Sequence, residues 1–199
     1  MARSGMAAII TELRALCEAG TADYNIVGSA GTTYYWSDDT LQDILDVNRH
    51  DMIYEQLNIY PYVVNSGTLS YTDYRSSRGY YEQTTGGTAI FWLQDSAGST
   101  AGTNIYSVDY RRGKITFNNT TNGTVYYLNG SSYDMNAAAA DTWRRKMAHV
   151  ATSSFNFSTD NHSITRAQVY EHAKEMAEFF ESKSGDAVAS IPMFRSDLT

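Results

Sequence analysis

The spacing of apolar residues changes twice along this chain, and that limits the folds open to it. Up to about residue 50 apolar positions recur every three or four residues. From about 51 to 130 they alternate, and near Tyr133 the wider spacing returns. A period near 3.6 lines up one stripe of a helix, and alternation lines up one face of a strand. The expected fold is therefore α+β, with a β-rich middle between helical ends.

The opening stripe is Ile9, Ile10, Leu13, Leu16 and Cys17, which predicts a helix over 6–19 ended by Gly20. A Gly/Ser/Thr-rich loop is expected over 20–35. Ser37 or Asp38 suits the N-cap of a second helix, and Asp38 and Asp39 suit its positive end. Trp36, just before the cap, is placed to staple onto Leu41. Leu41, Ile44 and Leu45 form the buried stripe, and the helix is expected to run to about Arg49. After the middle segment, Asp134 can cap a helix opening with four alanines, Ala137 to Ala140, and continued by Trp143, Met147 and Val150. A loop is expected over 154–164. Thr165 and Gln168 then have the spacing of a capping box for a last helix to about 183. Its inner face reads Val169, Tyr170, Ala173, Met176, Ala177 and Phe180. Residues 185–199 lack period and caps, and read as an extended tail with an apolar cluster of Ile191, Met193 and Phe194.

Strands are expected at 52–63, 68–74, 79–84, 88–94, 103–110, 113–118 and 123–128. The clearest hairpin places Tyr106, Val108 and Tyr110 on one face. It turns at Arg111-Arg112-Gly113 and returns through Lys114 to Phe117. Residues 89–93 are apolar on both faces, which predicts a central strand. Short strands about ten residues apart predict a small antiparallel barrel or sandwich. Each helical end is too short to bury a core alone. The expected organisation is thus a discontinuous four-helix domain, residues 1–50 and 131–184, with 51–130 inserted as a β-domain and 185–199 as a tail.

Composition narrows function. The net charge is −7, and the densest basic clusters, Arg111-Arg112 with Lys114 and Arg144-Arg145-Lys146, read as a turn tip and a solvated helix face. A phosphate-gripping protein carries a broad basic face instead. The lone Cys17 excludes an internal disulfide and reads as a buried thiol. No apolar run nears the roughly 20 residues of a membrane span. Glu12, Arg14 and Glu18 interrupt the first apolar stretch, so neither signal peptide nor anchor is expected, and synthesis in the cytoplasm is. The Asn-X-Ser/Thr triplets at Asn118, Asn119, Asn122, Asn129, Asn156 and Asn161 read as turn chemistry.

No motif for a phosphate loop, dinucleotide turn, nucleophile elbow or His-Glu-x-x-His zinc site occurs. Asp160-Asn161-His162 reads as a polar loop rather than a metal site. Asp38, Asp39 and Glu55 read as capping and surface carboxylates rather than a catalytic pair. No catalytic, cofactor or metal residues are therefore assigned, and no enzyme is expected. A second reading takes Tyr71, Tyr74, Tyr80, Tyr81 and Trp92 as a platform for a glycan or host surface.

Three stretches carry a family resemblance. They are Ile9 to Leu16 followed by Tyr35 to Asp46 with its Trp-Ser-Asp-Asp cap, Asn129 to Ala140 with its alanine-rich helix, and Thr165 to Gln168. Residues 6–50 and 129–183 resemble the head–tail connector proteins, or adaptors, of long-tailed bacteriophages. The inserted segment of about 80 residues departs from the compact members. The resemblance implies a structural virion protein of the neck between capsid and tail, made in the host cytoplasm. Such adaptors form a ring, usually of twelve copies, beneath the portal protein, offer a surface to the stopper or tail-completion protein, and let double-stranded DNA through without binding it. An acidic lumen suits that passage, because it repels phosphate. Ile191, Met193 and Phe194 are the residues expected to dock on the portal. No cofactor and no membrane are implied.

Overall fold

A computed structural model describes residues 2–24, 26–28, 31–64, 67–85, 89–152, 157–159, 162–164 and 166–185. Thr165 and the tail residues Ile191, Met193 and Phe194 lie outside them, as do Asp160 and Asn161. The fold is mixed α+β, with four α-helices and antiparallel sheets among the described residues.

A short 3-10 turn, Ser4–Met6, leads into α1 (Ala7–Leu16). The helix stops three residues before the expected end, because Glu18 takes a left-handed conformation (φ 50°) and breaks the backbone pattern ahead of Gly20. The loop expected next contains a small hairpin, β1 (Ile26–Gly28) with β2 (Gly31–Thr33). In α2 (Asp38–Val47) Ser37 is the N-cap, its side chain accepting from the Thr40 N–H at 3.1 Å. Trp36 and Leu41 are both fully buried beside that cap.

The chain leaves α2 almost at once as β3 (Arg49–Gln56), followed by β4 (Asn58–Val63), β5 (Leu69–Arg75), β6 (Trp92–Asp95), β7 (Tyr106–Asp109), β8 (Lys114–Phe117) and β9 (Tyr126–Tyr133). Two open sheets result, in the orders β3-β9-β6 and β4-β5-β8-β7. Neither closes, so of the expected barrel or sandwich the barrel is not formed among the described residues. Both contribute to one core, which includes Leu57, Tyr74, Leu93, Ile115, Phe117 and Leu128. The stretch at 89–93 is not a central strand. Its last residues enter β6, which is a sheet edge; Phe91, just before β6, and Leu93 are buried, and Trp92 is half-exposed. The expected hairpin forms as β7 and β8, with Gly113 at φ 62° in its turn.

Residues 79–84 also differ from expectation, for they make no strand. Their hydrogen bonds are divided among several neighbours. Tyr80 and Tyr81 N–H groups donate to Arg111 and Tyr110 carbonyls, Glu82 donates to Ser131, and Gln83 donates to Gly5. Tyr80 at φ 55° kinks this strap, so that Tyr80 packs toward the helices while Tyr81 enters the β core.

β9 runs directly into α3 (Met135–Thr152), where Asp134 caps the Ala137 N–H at 2.9 Å. A hairpin, β10 (Phe157–Thr159) with β11 (His162–Ile164), lies in the expected loop before α4 (Arg166–Glu181). Residues from both ends of the chain share a second core: Met6, Ile10, Leu13, Trp36, Leu45, Ala139, Trp143, Ala177 and Phe180. Ala138, Ala139 and Ala140 are buried within it, where a side chain of one carbon permits close helix approach. The two connections between helices and sheets are adjacent. Arg49 pairs with Tyr133 across β3 and β9, and the Asp134 N–H donates to the Asn48 carbonyl at 3.0 Å.

Candidate functional site

Reactive side chains do not converge among the described residues. No group of three or more His, Cys, Asp or Glu is placed to hold a metal. Asp38 pairs with Arg14 at 2.7 Å, and Glu55 accepts from the Ser77 hydroxyl at 2.6 Å, so each serves its own neighbourhood. Cys17 is buried, and desolvation pushes its thiol up to about 12. The basic clusters are largely neutralised by neighbours. Arg111 pairs with Glu12 at 2.6 Å, Lys114 with Asp73 at 2.8 Å, and Arg144 with both Asp141 at 2.9 Å and Glu181 at 2.6 Å. Lys146 is the exception to the expected solvated face, being buried between α3 and the chain after α1.

The most constrained polar site sits where sheets meet helices. Arg3 makes a two-pronged pair with Asp46 at 2.9 and 2.6 Å. Its Nε donates to Glu82 at 2.9 Å, and Nη2, one of the two nitrogens on Asp46, also donates to the Tyr133 hydroxyl at 3.0 Å. Tyr133 in turn donates to Glu82 at 2.7 Å. Glu82 is only 3% exposed, so its charge is supportable because both donors reach it. Asp46, then Glu82, hold the guanidinium charged well above its ordinary range, while burial pushes the Tyr133 phenol up. Four chain segments are tied by this cluster: the N-terminus, α2, the 79–84 strap and the end of β9. Nothing in apolar periodicity signals it, since a lone Arg3 and a lone Glu82 look like surface residues.

Beside this junction, α1 and the β7–β8 turn enclose a cleft of about 310 Å3, lined by Ile9, Glu12, Tyr80, Val108 and Arg111 among others. The Tyr80 hydroxyl donates to Glu12 at 3.1 Å, and Arg111 closes on the same carboxylate. Its walls are already paired with one another, which makes it a seam between helix and hairpin.

The five aromatics expected to form a platform are not one surface. Tyr74 and Tyr81 are fully buried, their hydroxyls bonded to Thr121 and Ser76. Among the exposed large apolar side chains, Ile53 and Tyr54 lie on β3, Tyr60, Tyr62 and Val63 on β4, and Leu69 at the start of β5. Tyr54 stacks face to face on Tyr127 at 4.0 Å and sits at φ 55° in the β3 bulge, held there by its N–H bond to Asn129. Arg75 lies 4.8 Å above the Tyr60 ring.

The structure places Trp36, Ser37 and Asp38 at the α2 cap and Trp143 in the helical core, with Gln168 exposed in the first turn of α4. No helix among the described residues is long and apolar enough to cross a membrane. No family model matches this chain, and no curated protein matches it.

Proposed function

We propose that this chain is a structural assembly protein, a head–tail adaptor whose copies form a ring between portal and stopper or tail in a phage neck, with DNA passing through. The observation carrying the reading is the shared core of α1, α2, α3 and α4. In this view residues 1–50 and 131–184 are one discontinuous helical body, and the β unit rides on it through the adjacent roots Asn48–Arg49 and Tyr133–Asp134. The resemblance of residues 6–50 and 129–183 to adaptors supplies the class of assembly. The net charge of −7 suits a lumen that repels phosphate. Electron microscopy of the chain alone and mixed with a portal ring tests this. Decoration of the portal by a ring of copies is expected; an unoccupied portal overturns the reading.

A second reading makes the β unit a binding module for a glycan or host surface. The exposed Tyr54, Tyr60 and Tyr62 favour it, because tyrosine rings offer flat apolar faces with wet hydroxyls. Polysaccharide pull-down by the full chain, lost in a Tyr60→Ser, Tyr62→Ser double variant, is its expected result.

A further inference from the structure

A small cavity of about 140 Å3 lies between α3, α4 and the chain after α1, lined by Glu18, Tyr24, Trp143, Lys146, Val150, Val169, His172 and Ala173. Two of its lining residues carry hydrogen-bond donors that the protein leaves under-used. Lys146 is 7% exposed, and its ammonium donates to the Glu18 carbonyl at 2.9 Å and lies 4.6 Å from the Trp143 ring centroid. An ammonium has three donors, and among the described residues no carboxylate comes within ion-pair distance of this one. Asp23 and Glu18 act on it only through longer-range attraction, and burial outweighs them, lowering its pKa from the ordinary lysine value. The Trp143 indole N–H is likewise buried, with no acceptor among the described residues. Leaving a buried charge unpaired and a buried N–H unbonded is costly, and both residues line this one cavity.

We infer that this cavity is a binding site for a single carboxylate group on a short apolar stem, the oxygens taken by the Lys146 ammonium and the Trp143 N–H. The stem then lies against Val150, Val169 and Ala173. The size fits: at ~30 Å3 per water the space equals about four or five waters, which is the scale of a three- or four-carbon acid. The same chemistry has two sources, a free short-chain carboxylate or the end of a glutamate side chain from a second copy.

The test uses propionate and the full chain, following the Trp143 indole N–H resonance at constant ionic strength, with propionamide as the neutral control. Propionate is expected to shift that resonance saturably and to bind about tenfold more weakly in Lys146→Met, which nearly keeps the packing volume. Circular dichroism establishes that the variant is folded. Equal shifts from propionate and chloride, equal binding of propionamide, or unchanged affinity in folded Lys146→Met would overturn the assignment. Sedimentation separates the sources: copies that associate and are dispersed by propionate identify a neighbour's side chain, and a binding-competent monomer identifies a free acid.

Discussion

At the scale of single residues, the sharpest constraint is steric. Gly113 combines φ 62° with a close crossing, because a Cβ there would come within 2.0 Å of the Arg78 carbonyl oxygen. At its crossing partner Gly79 an added Cβ would come within 2.3 Å of the Arg111 carbonyl oxygen. Gly113→Ala is therefore expected to cost well over the ~1 kcal/mol of an unfavourable backbone conformation alone, read from urea unfolding. Ser37→Ala, which removes the α2 cap bond and the hydroxyl contact with Thr40, is expected to cost about 1 kcal/mol in the same assay. Cys17 makes a pH prediction. Its thiol titrates near 9.0 when unfolded and is pushed up to about 12 in the fold, so between those values the unfolded state binds fewer protons. Stability then falls as pH rises across that window, and Cys17→Ala is expected to flatten the slope. In the native state the thiol is also expected to ignore thiol reagents at neutral pH.

At the scale of elements, the junction decides how firmly the sheets are held on the helices. Glu82 depends on Arg3 and Tyr133, so Arg3→Met leaves a buried carboxylate with one donor. Loss of about 2 kcal/mol is expected, less than for a fully buried pair because Arg3 is itself partly exposed. Glu82→Gln in the Arg3→Met background is expected to recover part of that loss. This is also where the sequence was least informative. The caps at Ser37 and Asp134, the α1 and α2 stripes and the β7–β8 hairpin are written in local chemistry, and the fold follows them. The 79–84 strap alternates like a strand, yet its partners are distributed over three places, which no local pattern records. β6 looked central because Ile90 to Leu93 are all apolar, and it lies at an edge where Trp92 stays half-exposed. Lys146 sat in a run of charges, and only tertiary packing buried it. The short hairpins β1–β2 and β10–β11 were hidden in stretches whose Gly, Ser, Thr and Asn content resembles loop.

At the scale of the whole molecule, the two cores predict a separable design. Asp51 lies opposite Ser131 on β3 and β9, so replacing the residues between them by an Asp-Gly turn closes a natural two-residue hairpin. The shortened chain is expected to keep its helical circular-dichroism signal and a cooperative melt, with a lower Tm because Glu82 and Tyr80 leave the junction. A chain that no longer folds would mean that the helical ends need the sheets to hold them together. The same roots have a mechanical meaning. Both peptide chains that tether the sheets depart side by side, so a tug between the sheets and the helices is shared by two covalent strands in parallel. The ladder linking β3 to β9 bears little of that load. Such a tug is met first by the Arg3–Glu82–Tyr133 cluster, the Gln83–Gly5 bond and the Glu12–Arg111 pair, and only after these part does it reach the two cores.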